Sequence, residues 1–180
     1  MAVLASQDPG NAYGVPYMWG TTGIGYNVDK IKEILGDDAP VDSWDLVFKP
    51  ENLEKLSKCG VNFLDSSDEI FPLAMHYVGQ DPNSTDSKLY KGDSEAAKLL
   101  KELRPYVTKF ASSGYIDALA NGEMCVVVGW SGDVLMAQYQ AEEAENGVSI
   151  EYVIPKEGTQ IWFDMMAIPA DAENTEGALK

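Results

Sequence analysis

The sequence predicts an α/β fold, a layered sheet flanked by helices. Two observations lead there. Segments with strand-like and helix-like apolar spacing alternate along the chain. One of them, Met124-Cys-Val-Val-Val-Gly129, is a continuous apolar run of the kind a strand needs when both its faces are covered. Residues 13–19 and 22–27 read as strands around a Gly-rich step (Gly20, Gly23, Gly25). Residues 29–35 read as a short helix ended by Gly36. Residues 44–48 and 51–58 read as helical turns, the second opened by Pro50. Residues 61–64 form a short apolar strand. Ser67 then reads as an N-cap, with Asp68 and Glu69 in the first turn and an apolar run to Val78. Residues 81–92 are a polar loop. Ala97, Leu99, Leu100 and Leu103 give 94–103 a helical pattern, stopped by Pro105. Helices are predicted at 115–120 and 134–145 and strands at 149–154 and 161–168, and a helix begins after Asp171. No inter-domain linker, internal repeat or low-complexity tract is visible.

Composition narrows the function classes. The chain has 180 residues, with 13 Lys and Arg against 29 Asp and Glu, a formal charge of −16. An acid excess of this size argues against a nucleic-acid partner, which needs clustered cations. It suits a cationic ligand, because a negative field enriches cations near the surface. Four Trp, nine Tyr and five Phe supply ample apolar surface for a core. No stretch approaches the length of a membrane span. Residues 1–8 lack the basic and apolar regions of a complete signal peptide. Cys59 and Cys125 have neither metal nor redox-pair spacing, and are either two buried thiols or one disulfide.

Ligands of open α/β sheets bind beyond the carboxyl ends of the strands. After residues 61–64 come Asp65, Ser66, Ser67, Asp68 and Glu69; after 124–129 come Trp130, Ser131, Gly132 and Asp133. Within the last strand, Trp162 and Asp164 share a face. Carboxylates beside indoles are what an alkyl ammonium ligand requires, the acids for its nitrogens and the aromatic faces for its methylenes. Each piece has a plainer explanation. Asp68, Glu69 and Asp133 complement helix dipoles, and Trp130 and Trp162 serve as core residues. Their coincidence at three strand ends puts a site on equal footing with the plainer explanations. His76 is the sole histidine and sits in an apolar helical pattern. With no nucleophile motif and no metal cluster, a Ser or Cys hydrolase has little support, and an enzyme reading has acids but no convincing nucleophile or base; no cofactor is expected.

Several segments together carry a family resemblance. They are Val15-Pro-Tyr-Met-Trp-Gly-Thr-Thr-Gly-Ile-Gly-Tyr-Asn27, Ala39-Pro-Val-Asp-Ser-Trp-Asp-Leu46, Lys49-Pro-Glu-Asn-Leu-Glu-Lys-Leu56, Asp81-Pro-Asn-Ser-Thr85, Leu119-Ala-Asn-Gly122, Gly129-Trp-Ser-Gly-Asp133 and Ile154-Pro-Lys-Glu-Gly158. In this order they resemble the bacterial periplasmic polyamine-binding proteins, the putrescine and spermidine receptors of ABC importers. The resemblance implies a single Rossmann-like lobe of a type II periplasmic binding protein, with a mixed sheet. Residues 1–180 would be the second of two lobes, with hinge strands near 13–19 and 162–168. The first lobe and the C-terminal return segment would be absent from this chain.

The resemblance further implies a periplasmic location, an ABC permease as partner of the full-length protein, and no membrane insertion. It implies that Glu69 receives one amine end, Trp130 stacks on the alkyl chain, Asp133 contacts an amine, and Asp164 holds an ammonium beside Trp162. Ser66 lies nearby as a selectivity position. Trp162 resembles the spermidine-preferring receptors and Asp133 the putrescine type, which points to polyamines broadly, with spermidine ahead. Cys59 and Cys125 match a pair that is disulfide-bonded in similar receptors. The rival reading is a folding or assembly lobe that self-associates through its exposed cleft side and binds little ligand.

Overall fold

The computed structural model describes residue 5 and residues 8–180, so the leader reading of residues 1–8 falls almost wholly outside the described part. The strands are β1 (Val15–Asn27), β2 (Val61–Phe63), β3 (Lys109–Phe110), β4 (Val126–Trp130), β5 (Ile150–Val153) and β6 (Ile161–Met166). The helices are α1 (Val28–Leu35), α2 (Asp45–Phe48), α3 (Pro50–Leu56), α4 (Ser67–Tyr77), α5 (Glu95–Leu103), α6 (Tyr115–Ala120), α7 (Ser131–Glu143) and α8 (Thr175–Ala178). The strand order is β3-β2-β4-β1-β5, and β6 pairs with β1. β2 runs parallel to β3 and β4, whereas β1 runs antiparallel to β4 and β5, so the sheet is mixed.

The chain divides into two compact units. One is Thr21–Gln160; the other is Ile161–Lys180 with the segment up to Gly20. The division passes through a continuous strand, β1, rather than through a linker. The expected break in the first strand pair is absent: 15–27 is one strand of 13 residues. Its glycines make room instead of turning the chain. A Cβ on Gly25 would lie 2.6 Å from Val134 Cγ1 and 3.0 Å from Val127 Cγ2, so glycine lets α7 pack directly on the strand.

Local chemistry accounts for the helix ends. Asn27 caps α1 by accepting the Lys30 N–H at 3.0 Å, and Gly36 ends that helix at φ 88°. Pro50 opens α3, and Ser94 Oγ caps α5. α7 starts three residues earlier than its apolar pattern suggests, directly after β4. β3, with only two exposed residues, had no sequence pattern to betray it. The strands expected near 13–19 and 162–168 correspond to the first part of β1 and to β6, with shifted ends.

The core of the larger unit forms around β2 and β4. Val126, Val127 and Val128 are fully buried, as their unbroken apolar run requires, beside Trp44, Phe48, Leu53, Leu56 and Phe63. Trp44 stacks on Phe48 with ring centroids 5.3 Å apart, and Phe48 meets Phe63 edge-on at 6.1 Å. Cys59 and Cys125 form a disulfide, Cα atoms 5.5 Å apart, joining the end of the α3 segment to the start of β4.

The segment between β5 and β6 is firmly tied. Trp44 Nε1 donates to Gly158 O at 2.9 Å, and Lys156 N donates to Asp42 O at 2.8 Å. His76 Nε2 bonds Glu157 O at 2.6 Å, and the Glu157 carboxylate accepts from Ser43 Oγ and Trp44 N. Thr159 Oγ1 donates to Thr22 O, and Thr22 N donates to Gln160 O at 3.2 Å.

Candidate functional site

β2 and β4 are parallel neighbours, in register from Val61 with Val126, so they end at one edge of the sheet. The helix that follows each starts there. Glu69 is in the first turn of α4, Trp130 closes β4, and Asp133 is in the first turn of α7. Antiparallel β1 brings Thr22 opposite Trp130. Thr22 Oγ1 donates to Glu69 Oε2 at 2.5 Å, and Trp130 Nε1 donates to Glu69 Oε1 at 3.2 Å. Trp130 is held at its backbone too: its N–H donates to the Tyr115 hydroxyl at 3.2 Å, and that hydroxyl donates to Asp133 Oδ2 at 2.8 Å. Three of the expected ligand residues therefore belong to one hydrogen-bonded chain.

The packing beneath them is tight. Tyr115 and Thr22 are buried; Glu69, Trp130 and Asp133 are half-buried. A Cβ on Gly129 would lie 2.9 Å from the Tyr115 ring, so glycine lets the ring approach β4 this closely. Burial, and then the bond to Asp133, push the Tyr115 hydroxyl far above the usual tyrosine range, so it stays a protonated donor. Tyr152, raised by burial, donates to Thr21 O at 3.0 Å on the neighbouring stretch of β1.

Electrostatically, Glu69 and Asp133 have no cationic partner among the described residues. Among the described residues the ion pairs are Lys32–Asp37, Lys49–Asp45, Lys98–Glu95 and Lys156–Asp42, none of which uses either carboxylate. Two half-buried acids fixed by neutral donors, beside an indole, form a place where a cation is stabilised.

Ser66, not the expected Ser67, occupies the N-cap position of α4. Its carbonyl accepts Glu69 N at 3.2 Å and Ile70 N at 3.1 Å, while its side chain makes no capping bond. Trp162 and Asp164 lie in β6, within the smaller compact unit. Strand alternation places them on one face, with Trp162 half-buried and Asp164 exposed. The Trp162 indole lies over Gly20, where any Cβ would overlap it. Each unit thus carries an acid and a tryptophan of its own.

His76 is exposed and engaged with Glu157 O. No group of three or more His, Cys, Asp or Glu among the described residues could hold a metal ion. No helix among them is long and apolar enough to cross a membrane. Sequence reasoning missed Thr22 and Tyr115. Thr22 lies hidden in the Gly-rich stretch, and Tyr115 announces only a helix start.

A family profile described as bacterial extracellular solute-binding protein matches residues 2–180. A putrescine-binding periplasmic protein of Pseudomonas aeruginosa, SpuD, is 59% identical over 179 residues, covering 99% of this chain and 48% of that protein. The Escherichia coli putrescine-binding periplasmic protein PotF is 54% identical over 178 residues, again covering 99% of this chain and 48% of the relative. Among solved structures, the Treponema pallidum lipoprotein TpPotD superimposes with a TM-score of 0.76 at 26% identity, over 98% of this chain and 51% of that one. The Streptococcus pneumoniae spermidine/putrescine ABC transporter substrate-binding protein PotD gives 0.69 at 29% identity, over 95% and 47%. The chain spans about half the length of the curated relatives it matches. A profile match over nearly every residue, on a mixed sheet shared with these structures, makes the chain a member of the bacterial extracellular solute-binding protein family.

Proposed function

We propose that this chain binds polyamines as part of the solute receptor of an ABC importer in the periplasm, with the permease as partner of the whole receptor. Residues 1–180 would form one lobe of that receptor, with the first part of β1 and β6 as hinge strands. The relatives are binding proteins rather than enzymes, and SpuD and PotF are named for putrescine. The observation that carries the reading is the pair of uncompensated carboxylates, Glu69 and Asp133, tied to Trp130 by hydrogen bonds.

The mechanism is electrostatic and steric. Glu69 and Asp133 compensate ammonium charge, and the indole of Trp130 covers methylenes. Asp164 and Trp162 supply a further acid and aromatic, and Ser66 borders the Glu69 turn as a selectivity position. Calorimetric titration with putrescine and then spermidine, at low and moderate salt, tests this. Expected is saturable one-to-one binding that survives moderate salt, falls at least about tenfold in Trp130→Ala, a loss on the scale of one cation–π contact plus its methylene burial, and weakens in Asp164→Asn. Heat that disappears with salt would reduce the effect to diffuse attraction by the −16 charge and refute the reading.

One observation favours a second reading, a lobe that self-associates. Val15, Tyr17, Met18 and Trp19 of β1 are 60%, 62%, 52% and 67% exposed. A mass that rises with concentration in sedimentation, with no polyamine binding, would select it.

A further inference from the structure

The proposed acids and indole are held by residues that touch no ligand in that reading. One of them occupies a junction. The Tyr115 hydroxyl takes the backbone N–H of Trp130 and gives its own proton to Asp133, 18 positions away in sequence. Tyr115 is 1% exposed, its ring seated on Gly129 at the end of β4. Its bond occupies Oδ2 of Asp133 and leaves Oδ1, which accepts no hydrogen bond from the described residues, as the free oxygen.

We infer that Tyr115 is a positioning residue for cation binding, a tether that aims Asp133 Oδ1 outward and fixes that carboxylate relative to the Trp130 indole. The inference rests on the polyamine reading of the site. Three features set this hydroxyl apart from a buried tyrosine that merely fills space. Both its hydrogen-bonding capacities are spent on groups of the site, and on nothing else among the described residues. It joins α6, β4 and the first turn of α7, so one atom couples the strand end to the helix start. Trp130, in turn, passes the restraint to Glu69 through its indole N–H, so Tyr115 influences both acids. A carboxylate held in one orientation before the ligand arrives loses less freedom on binding, which raises affinity.

The test is a double-mutant cycle read by putrescine titration of this chain: unsubstituted, Tyr115→Phe, Asp133→Asn, and both together. Phenylalanine keeps the ring on Gly129 and removes only the hydroxyl. Tyr115→Phe alone is expected to lower affinity about tenfold, the scale of one hydrogen bond to a charged group. In the Asp133→Asn background the same change should cost about twofold or less, because there is no charge left to aim. An equal loss in both backgrounds would mean a general structural role and overturn the tether. Hydrogen exchange at the Trp130 backbone amide, followed by NMR without ligand, gives an independent reading. Exchange that accelerates in Tyr115→Phe while the strand neighbours Val127 and Val128 stay protected supports the tether; an unchanged rate overturns it. If the unsubstituted chain shows no saturable binding, the polyamine reading fails, and the exchange result still decides whether Tyr115 holds Trp130.

Discussion

Reduction of the Cys59–Cys125 disulfide is the perturbation with the largest calculable effect on this chain. The bridge closes a loop with a sequence separation of 66. A cross-link restricts the unfolded chain, and for a loop of this length the entropy removed is about 15 cal/mol/K, or about 4 kcal/mol at 25 °C. In a chain of this size each kcal/mol moves the thermal midpoint by about 2–4 °C, so reduction should lower it by about 10 °C. Reduction keeps both sulfur atoms in place, so the comparison isolates the cross-link from the loss of packing that Cys125→Ala would add at this buried position. Urea unfolding followed by far-UV circular dichroism, with and without reductant, is the assay. The oxidised chain should unfold at higher urea and with a smaller m-value, because its unfolded state exposes less surface. If the two forms differ by less than about 1 kcal/mol, with equal m-values, the chain-entropy argument is refuted.

Three further perturbations follow from the packing and the site. Gly25→Ala should destabilise by about 1–3 kcal/mol in urea unfolding by forcing a methyl against Val134, and Val134→Ala should restore part of the loss. Thr22→Val removes the donor to Glu69 Oε2 and should weaken putrescine binding about tenfold with little change in fold; unchanged affinity would mean that this hydrogen bond does not position Glu69 for the ligand. Asp45 is held below the usual carboxylate range chiefly by the Lys49 ammonium, with help from the Tyr77 hydroxyl. Its contribution to stability is therefore complete above the ordinary aspartate range and is lost as pH falls through its depressed value, so Asp45→Asn should flatten the acid limb of a stability–pH curve.

What could be read from sequence followed from local rules. The Val126–Val128 run announced a strand covered on both faces because an unbroken apolar stretch has no other comfortable place. α6 at 115–120 was legible to the residue, and Gly36 and Pro50 marked helix ends by backbone chemistry. The strand-end rule found Glu69, Trp130 and Asp133 together because parallel strands finish on one edge. β1 was misread because glycine signals a turn and close packing alike, and only the facing Val134 and Tyr152 distinguish them. Tyr115 and Thr22 were invisible as site residues because their roles exist only across the sheet, where positions 22, 69, 115, 130 and 133 meet. The cysteine pairing was open on spacing alone and came from the family resemblance, which the disulfide bears out.

The ties on the β5–β6 segment bear on how this chain meets a protease. Lys156 is exposed, and a connecting stretch rich in Pro, Lys, Glu and Gly reads as easy prey for trypsin. Cleavage, however, requires several residues to peel away and enter the enzyme in extended form. Here that means breaking the bonds to Asp42, Ser43, Trp44, His76 and Thr22 at once, which anchor the segment to the stretch leading into α2, to α4 and to β1. Lys88 and Lys91 lie in the polar 81–94 stretch, where the short turn Ser87–Tyr90 is largely exposed. Limited digestion should therefore nick the chain near 88–91 first and leave the approach to β6 whole, so that fragments report the anchoring of this segment rather than its exposure.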